Sequence, residues 1–386
     1  MASNSDLPPW PLPAGLTESY ADCTSSCGLN FHILTAGKPG QPLVLFCHGY
    51  PEISFSWRKV MPAIAEAGYY CVAMDQRGYG RTTGWANVPF HEVALEEYTV
   101  TNLIRDHVCL VYKLGYKEVA CIIGHDFGGV SSAMGPLLRP EIFKSGIQMS
   151  HPHHAIPTPP FGNEQPKEKV DIQAELAKLD PPRKHYKWYN VTHEAASDWY
   201  NAEQGLEPYL RGYFHLKSAD WKYNKPHPLK EWSAKELGQL PEYYVLRRED
   251  TFPESVARNM DGEDYSKTER WLTPEDFAVY VAEWKRIGFQ GALNWYRAQT
   301  ASTPQAAKDL LLFAGRRINV PVMFLSGKQD WGNYQQPGAF ESYGDDAVVK
   351  DGCCKGVTLV DGAGLWIAQE QPERVIEEVL KFLKNL

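Results

Sequence analysis

Residues 119–130 read VACIIGHDFGGV. An uncharged run rich in β-branched residues breaks without a spacer into Gly124-His125-Asp126-Phe127-Gly128-Gly129, and apolar residues at helical spacing follow over 128–138. Few folds admit this. A strand so uniformly apolar is covered on both faces, as strands of parallel sheets are. A strand that turns at once into a helix needs glycine where side chains would collide. The turn puts Asp126 at its tip, beyond the carboxyl edge of the sheet, and the helix N-terminus behind it favours the ionised carboxylate. The plainer alternative is an Asp N-cap on a glycine-rich turn.

The rest of the chain supplies company for that strand. Apolar runs at 30–34, 43–47, 70–74, 146–150, 322–326 and 357–360 also read as strands, and 56–67, 95–114 and 372–385 carry helical spacing. Alternation of this kind predicts a mostly parallel sheet flanked by helices, the α/β class. The rhythm breaks over 151–300, which is helical, Pro-punctuated and holds seven of the twelve tryptophans. A helical lid inserted into the sheet accounts for this better than a tandem domain, because the C-terminal strands need the first half to pair with. The expected division is a core of 1–150 and 301–386 with a cap of 151–300.

A second turn, His48-Gly49-Tyr50-Pro51, ends the run LVLFC. The backbone N–H of Tyr50, with that of Phe127, makes a candidate donor pair for an oxyanion. With DQRGYGRT (75–82), GHDFGG (124–129) and GKQDWGNY (327–334) in this order, the chain resembles the α/β-hydrolase superfamily in its soluble epoxide hydrolase branch, from about residue 28 onward.

That resemblance implies an α/β-hydrolase fold with a helical cap, and roles for particular residues. Asp126 falls on the nucleophile that forms an alkyl ester, and Asp330 on the acid that orients a catalytic histidine. Tyr186 in KHYKWYN and Tyr296 in GFQGALNWYR fall on the two phenols that protonate the opening epoxide, with Tyr189 a near competitor for the first. His48, Pro51, Trp331 and Trp366 are expected to line the substrate site. Haloalkane dehalogenases share the aspartate elbow, but they usually place Trp after the nucleophile, and the Phe127 side chain has no donor.

One place departs from the pattern. GAGLWIAQEQPERV carries Leu365 where the family's catalytic histidine stands, and no histidine follows His227. Leucine has neither lone pair nor proton and is no base. Three readings remain: a variant that stops at the ester, a reused site that retains Asp126 and the tyrosines, or a histidine supplied from elsewhere. His151, His153 and His154 are the nearest of these, but they are expected to lie on the wrong side of the ester.

The composition narrows the partners. A net charge of −8 disfavours nucleic acid and anionic membranes, and no apolar run reaches the ~20 residues that span a bilayer. The cysteines have no zinc spacing, so neither metal nor cofactor is expected. The expected partner is a small apolar epoxide-like molecule and the expected location cytoplasmic, while the oligomeric state is not legible. The expected function is epoxide opening with an impaired hydrolytic step. The alternatives are an epoxide-opening cyclase or isomerase, a haloalkane dehalogenase-like hydrolase, or an inactive small-molecule binding protein.

Overall fold

In the computed structural model, which describes residues 7–165, 170–300 and 304–386, the strands are β1 (Thr17–Cys23), β2 (Leu29–Ala36), β3 (Leu43–Cys47), β4 (Tyr70–Met74), β5 (Cys121–His125), β6 (Gly146–Met149), β7 (Arg183–His185), β8 (Val245–Arg247), β9 (Val322–Gly327) and β10 (Cys354–Val360). Eight of them form one sheet in the order β1-β2-β4-β3-β5-β6-β9-β10, and β7 pairs with β8 apart from it. The pairs β1/β2 and β2/β4 are antiparallel, and from β4 to β10 every pair is parallel.

The apolar runs explain why the sheet is central. Val44 and Phe46 of β3 enter one buried cluster, while Leu43, Leu45 and Cys47 enter the other. Side chains of a strand alternate between faces, so a run with no polar interruption fills both. β1 was not expected. It is a half-exposed edge strand, with only Ala21 and Cys23 buried, and it lacks the apolar signal that marks the inner strands.

Helices Val100–Lys113, Phe127–Leu138 and Pro372–Lys384 lie near their expected places. The stretch 56–67 splits into a 3-10 turn, Ser54–Lys59, and a short helix, Met61–Glu66. Between β6 and β9 the regular elements of the described residues are helices, except for the small β7/β8 pair. Its tryptophans, among them Trp199, Trp284 and Trp295, join the cluster that also takes Val44 and Phe46. The helical cap therefore seats on one face of the sheet edge through a continuous aromatic core. The expected boundary at 300/301 abuts residues 301–303, outside the described ones, as are residues 1–6. Among the described residues no helix is long and apolar enough to cross a membrane.

Candidate active site

Asp126 leaves β5 and opens the helix Phe127–Leu138 with φ 53° and ψ −113°. A positive φ on a residue with a side chain is strained, and persists only where neighbours impose it. Here Asp126 N donates to Met149 O at 3.1 Å and Asp126 O accepts from Gly129 N at 2.9 Å. The approach is close on both sides. A Cβ on Gly124 would lie 1.7 Å from Gly128 O, and one on Gly49 would lie 2.3 Å from the Asp126 Cβ.

Asp126 is 8% exposed. Its Oδ1 accepts the Tyr50 amide at 3.0 Å. The Phe127 N–H, at the first helical position, has no carbonyl partner in the helix; it is not bonded to Asp126, so the Tyr50 amide is the one donor of the expected pair in contact. The Tyr50 ring packs into the cap, 4.9 Å from Trp199, 5.9 Å from Trp284 and 5.5 Å from Tyr296 between centres.

Two imidazoles flank Asp126. His125 Nδ1 pairs with Glu52 Oε2 at 2.5 Å. Burial opposes its charge, but Glu52 outweighs burial and pushes the ring up to about 9. His151 Nε2 lies 3.3 Å from Asp126 Oδ2. Burial on its own would raise the Asp126 carboxyl; His151, His125 and the Tyr50 amide together hold it well below the usual carboxylate range. Ser150, immediately before His151, also has a positive φ, 64°, and this second strained residue turns the chain back toward the elbow. His151, one of the three histidines the sequence places nearest the site, is the one in contact with Asp126, and that contact depends on where β6 ends beside β5.

Tyr186 and Tyr296 come from separate helices, Tyr186–Asn190 and Gln290–Gln299, and their rings meet edge to face at 5.9 Å. Both line a cavity of about 600 Å³ together with Asp126, Phe127 and His151. The phenols are raised well above 10 by burial, with the nearby Asp126 charge adding to it, so both are protonated at neutral pH. The Tyr186 hydroxyl donates to Gln335 Oε1 at 3.1 Å. Tyr189 donates to Asp198 at 2.5 Å instead and does not line the cavity.

Asp330 follows β9 and is 2% exposed. Its oxygens accept the Gly332 amide at 2.6 Å and the Ser326 hydroxyl at 3.3 Å. Leu365, 1% exposed, sits on a turn fixed from its backbone. Leu365 N donates to Lys217 O at 2.9 Å, and Gly364 N and Trp366 N each donate to Glu370 at 3.0 Å. Lys217 was not anticipated. Its Nζ lies 4.1 Å from the centre of the Tyr244 ring and 4.8 Å from that of Tyr213. Burial lowers it to about 7 against the pull of Asp126 and Asp330.

The four side chains expected to line the substrate site do not line this cavity. His48 is spent on the backbone: Nδ1–H donates to Gly49 O at 2.9 Å and Nε2 accepts Gln76 N at 3.1 Å. Pro51 contributes a carbonyl to Trp284 Nε1 at 2.8 Å. Trp331 packs on His227 with centres 5.1 Å apart. Trp366 lies 4.4 Å from Phe214 and donates to its carbonyl. Their aromatic and turn character fits packing beneath the site as well as lining it, and sequence alone does not separate the two.

Residues 42–176 match the family described as alpha/beta hydrolase fold. Epoxide hydrolase A of Mycobacterium tuberculosis is 29% identical over 363 residues, covering 93% of this chain and 95% of that protein. The crystal structure of epoxide hydrolase A from Mycobacterium thermoresistibile is similar with a TM-score of 0.69 and 26% identity, covering 96% of this chain and 98% of its own. An epoxide hydrolase from an endophytic Streptomyces, with a TM-score of 0.75 and 24% identity over 96% of each chain, shares the fold.

Proposed function

We propose that this chain, similar to epoxide hydrolases over most of its length, opens an apolar epoxide by attack of Asp126. One observation carries the reading: a buried, ionised carboxylate with one oxygen held by the Tyr50 amide lies in a largely apolar cavity that two protonated phenols also line. Oδ2 attacks an epoxide carbon and the C–O bond breaks. Tyr186 and Tyr296 donate to the departing oxygen, and the ester carbonyl is left at Oδ1, beside the amides of Tyr50 and Phe127. Asp330 is the acid that would orient a histidine at 365. With Leu365 in that place the water that cleaves the ester lacks its usual base, and the hydrolytic step is impaired.

A non-hydrolytic cyclase or isomerase is the second reading. It is favoured by the dry, apolar setting of Leu365, which belongs to the same buried cluster as Trp366 and Ile367. A haloalkane dehalogenase is disfavoured by Phe127, and loss of all chemistry by the joint presence of Asp126, Asp330 and both tyrosines.

The test is intact-protein mass spectrometry after exposure to styrene oxide. An adduct of the epoxide's mass on the peptide carrying Asp126, absent in Asp126→Asn, supports ester formation. Absence of label and of diol together rejects it.

A further inference from the structure

We propose that His151 performs the proton transfers left without an owner by Leu365: it returns a proton to the opened epoxide's oxygen, then takes one from the water that cleaves the Asp126 ester. This rests on Asp126 as nucleophile. The geometry is specific. His151 Nε2 is 3.3 Å from Asp126 Oδ2, the oxygen no amide holds, and its side chain is 21% exposed, within reach of water in the cavity it lines. The strained Ser150, φ 64°, is the kind of backbone outlier that clusters at sites where a side chain must be aimed.

The protons balance. The cycle starts from imidazolium beside carboxylate. Oδ2 bonds to carbon, the epoxide C–O bond breaks, and the phenols hold the oxygen until His151 gives it a proton. The ring that has given up its proton now carries a free Nε2 lone pair and is a base. Water adds to Cγ and its proton goes to Nε2. Collapse breaks the bond from Cγ to the alkyl oxygen. That oxygen takes the proton of the new acid, leaving diol, carboxylate and imidazolium.

The other imidazole at the elbow is unsuited. His125 is already committed to Glu52 at 2.5 Å and carries its proton up to about 9. The other titratable groups lining the cavity with His151 are Tyr186, Tyr296, Lys187, His153 and His154. Burial lowers both of these histidines, His153 to about 3. Lys217 is the rival base, because its backbone is clasped to Leu365.

The experiment is a single-turnover reaction of the full chain with styrene oxide, following label on Asp126 and release of diol together. In His151→Gln and His151→Phe the label should still form, but its decay should slow by roughly 100-fold or more, the scale of a lost general base. Added imidazole should restore decay in His151→Gly, which a purely structural residue would not permit. Diol release at the wild-type rate in His151→Gln and His151→Phe overturns the proposal, and loss of release in Lys217→Met alone moves the role to that lysine. A label that forms in the wild type and never decays removes the His151 role while leaving the nucleophile in place. No label and no diol in any of these proteins removes both.

Discussion

Leucine at 365 is nearly isosteric with an imidazole in bulk and opposite to it in chemistry, which makes the position a direct probe of the proposed site. Leu365→His should place a ring between Asp330 and the Asp126 ester, with Asp330 accepting one ring N–H so that the other nitrogen takes a proton from water. Steady diol release should rise by roughly 10²-fold or more, and Asp330→Ala should remove the gain. A null result in steady-state assays places residue 365 outside the catalytic geometry. The phenols are tested separately. Tyr186→Phe and Tyr296→Phe should each slow label formation by roughly 10²–10⁴-fold if they act alone, and less if they substitute for each other. Unchanged labelling in the double variant would return both to packing.

At the scale of elements, the elbow and its neighbour were legible because they are local: an apolar strand, glycines that nothing larger could replace, and a helix. Tyr186 and Tyr296 were legible as motifs, yet only packing separates Tyr186 from Tyr189. Lys217 was not legible, since it depends on a cap turn meeting the Leu365 turn, and His151 was legible only as one of three nearby histidines, since its contact depends on the end of β6 against β5. The elbow also carries a stability signature in the His125–Glu52 pair. His125, with a folded value of about 9 against 6.5, stabilises the fold fully below pH 6.5 and loses that contribution as pH rises toward 9. Glu52 is lowered, so its contribution is present above its ordinary range and lost in acid. Stability should therefore fall between pH 6.5 and 9 by a contribution on the order of 3 kcal/mol, and the melting temperature with it. Glu52→Gln should flatten that slope in a pH series of thermal melts. An equally steep slope in the variant would assign it to other groups.

Across the whole molecule, cap and sheet are bound by more than apolar contact. Arg58 pairs with Asp276 at 2.6 Å and Arg81 with Glu283 at 2.7 Å, joining the loops beyond β3 and β4 to the cap helix Pro274–Ile287. Glu283 also accepts the Trp10 indole N–H at 3.0 Å. Arg81 keeps Glu18 at 2.6 Å when Glu283 is removed, so Glu283→Ala loses charged hydrogen bonds without stranding a charge and should cost about 1.5–3 kcal/mol. With one aromatic core running through both parts, calorimetry should show a single unfolding transition, shifted down but not split by that substitution. Two resolved transitions would mean the cap melts on its own.

Tyr50 also joins the two parts. Its amide touches the carboxylate while its ring is wedged among Trp199, Trp284 and Tyr296 of the cap. Roof and floor of the chamber thus share a joist. Any redesign of the roof to welcome a differently shaped guest will tilt the donor below it, and selectivity and reactivity in this protein will be retuned as one property.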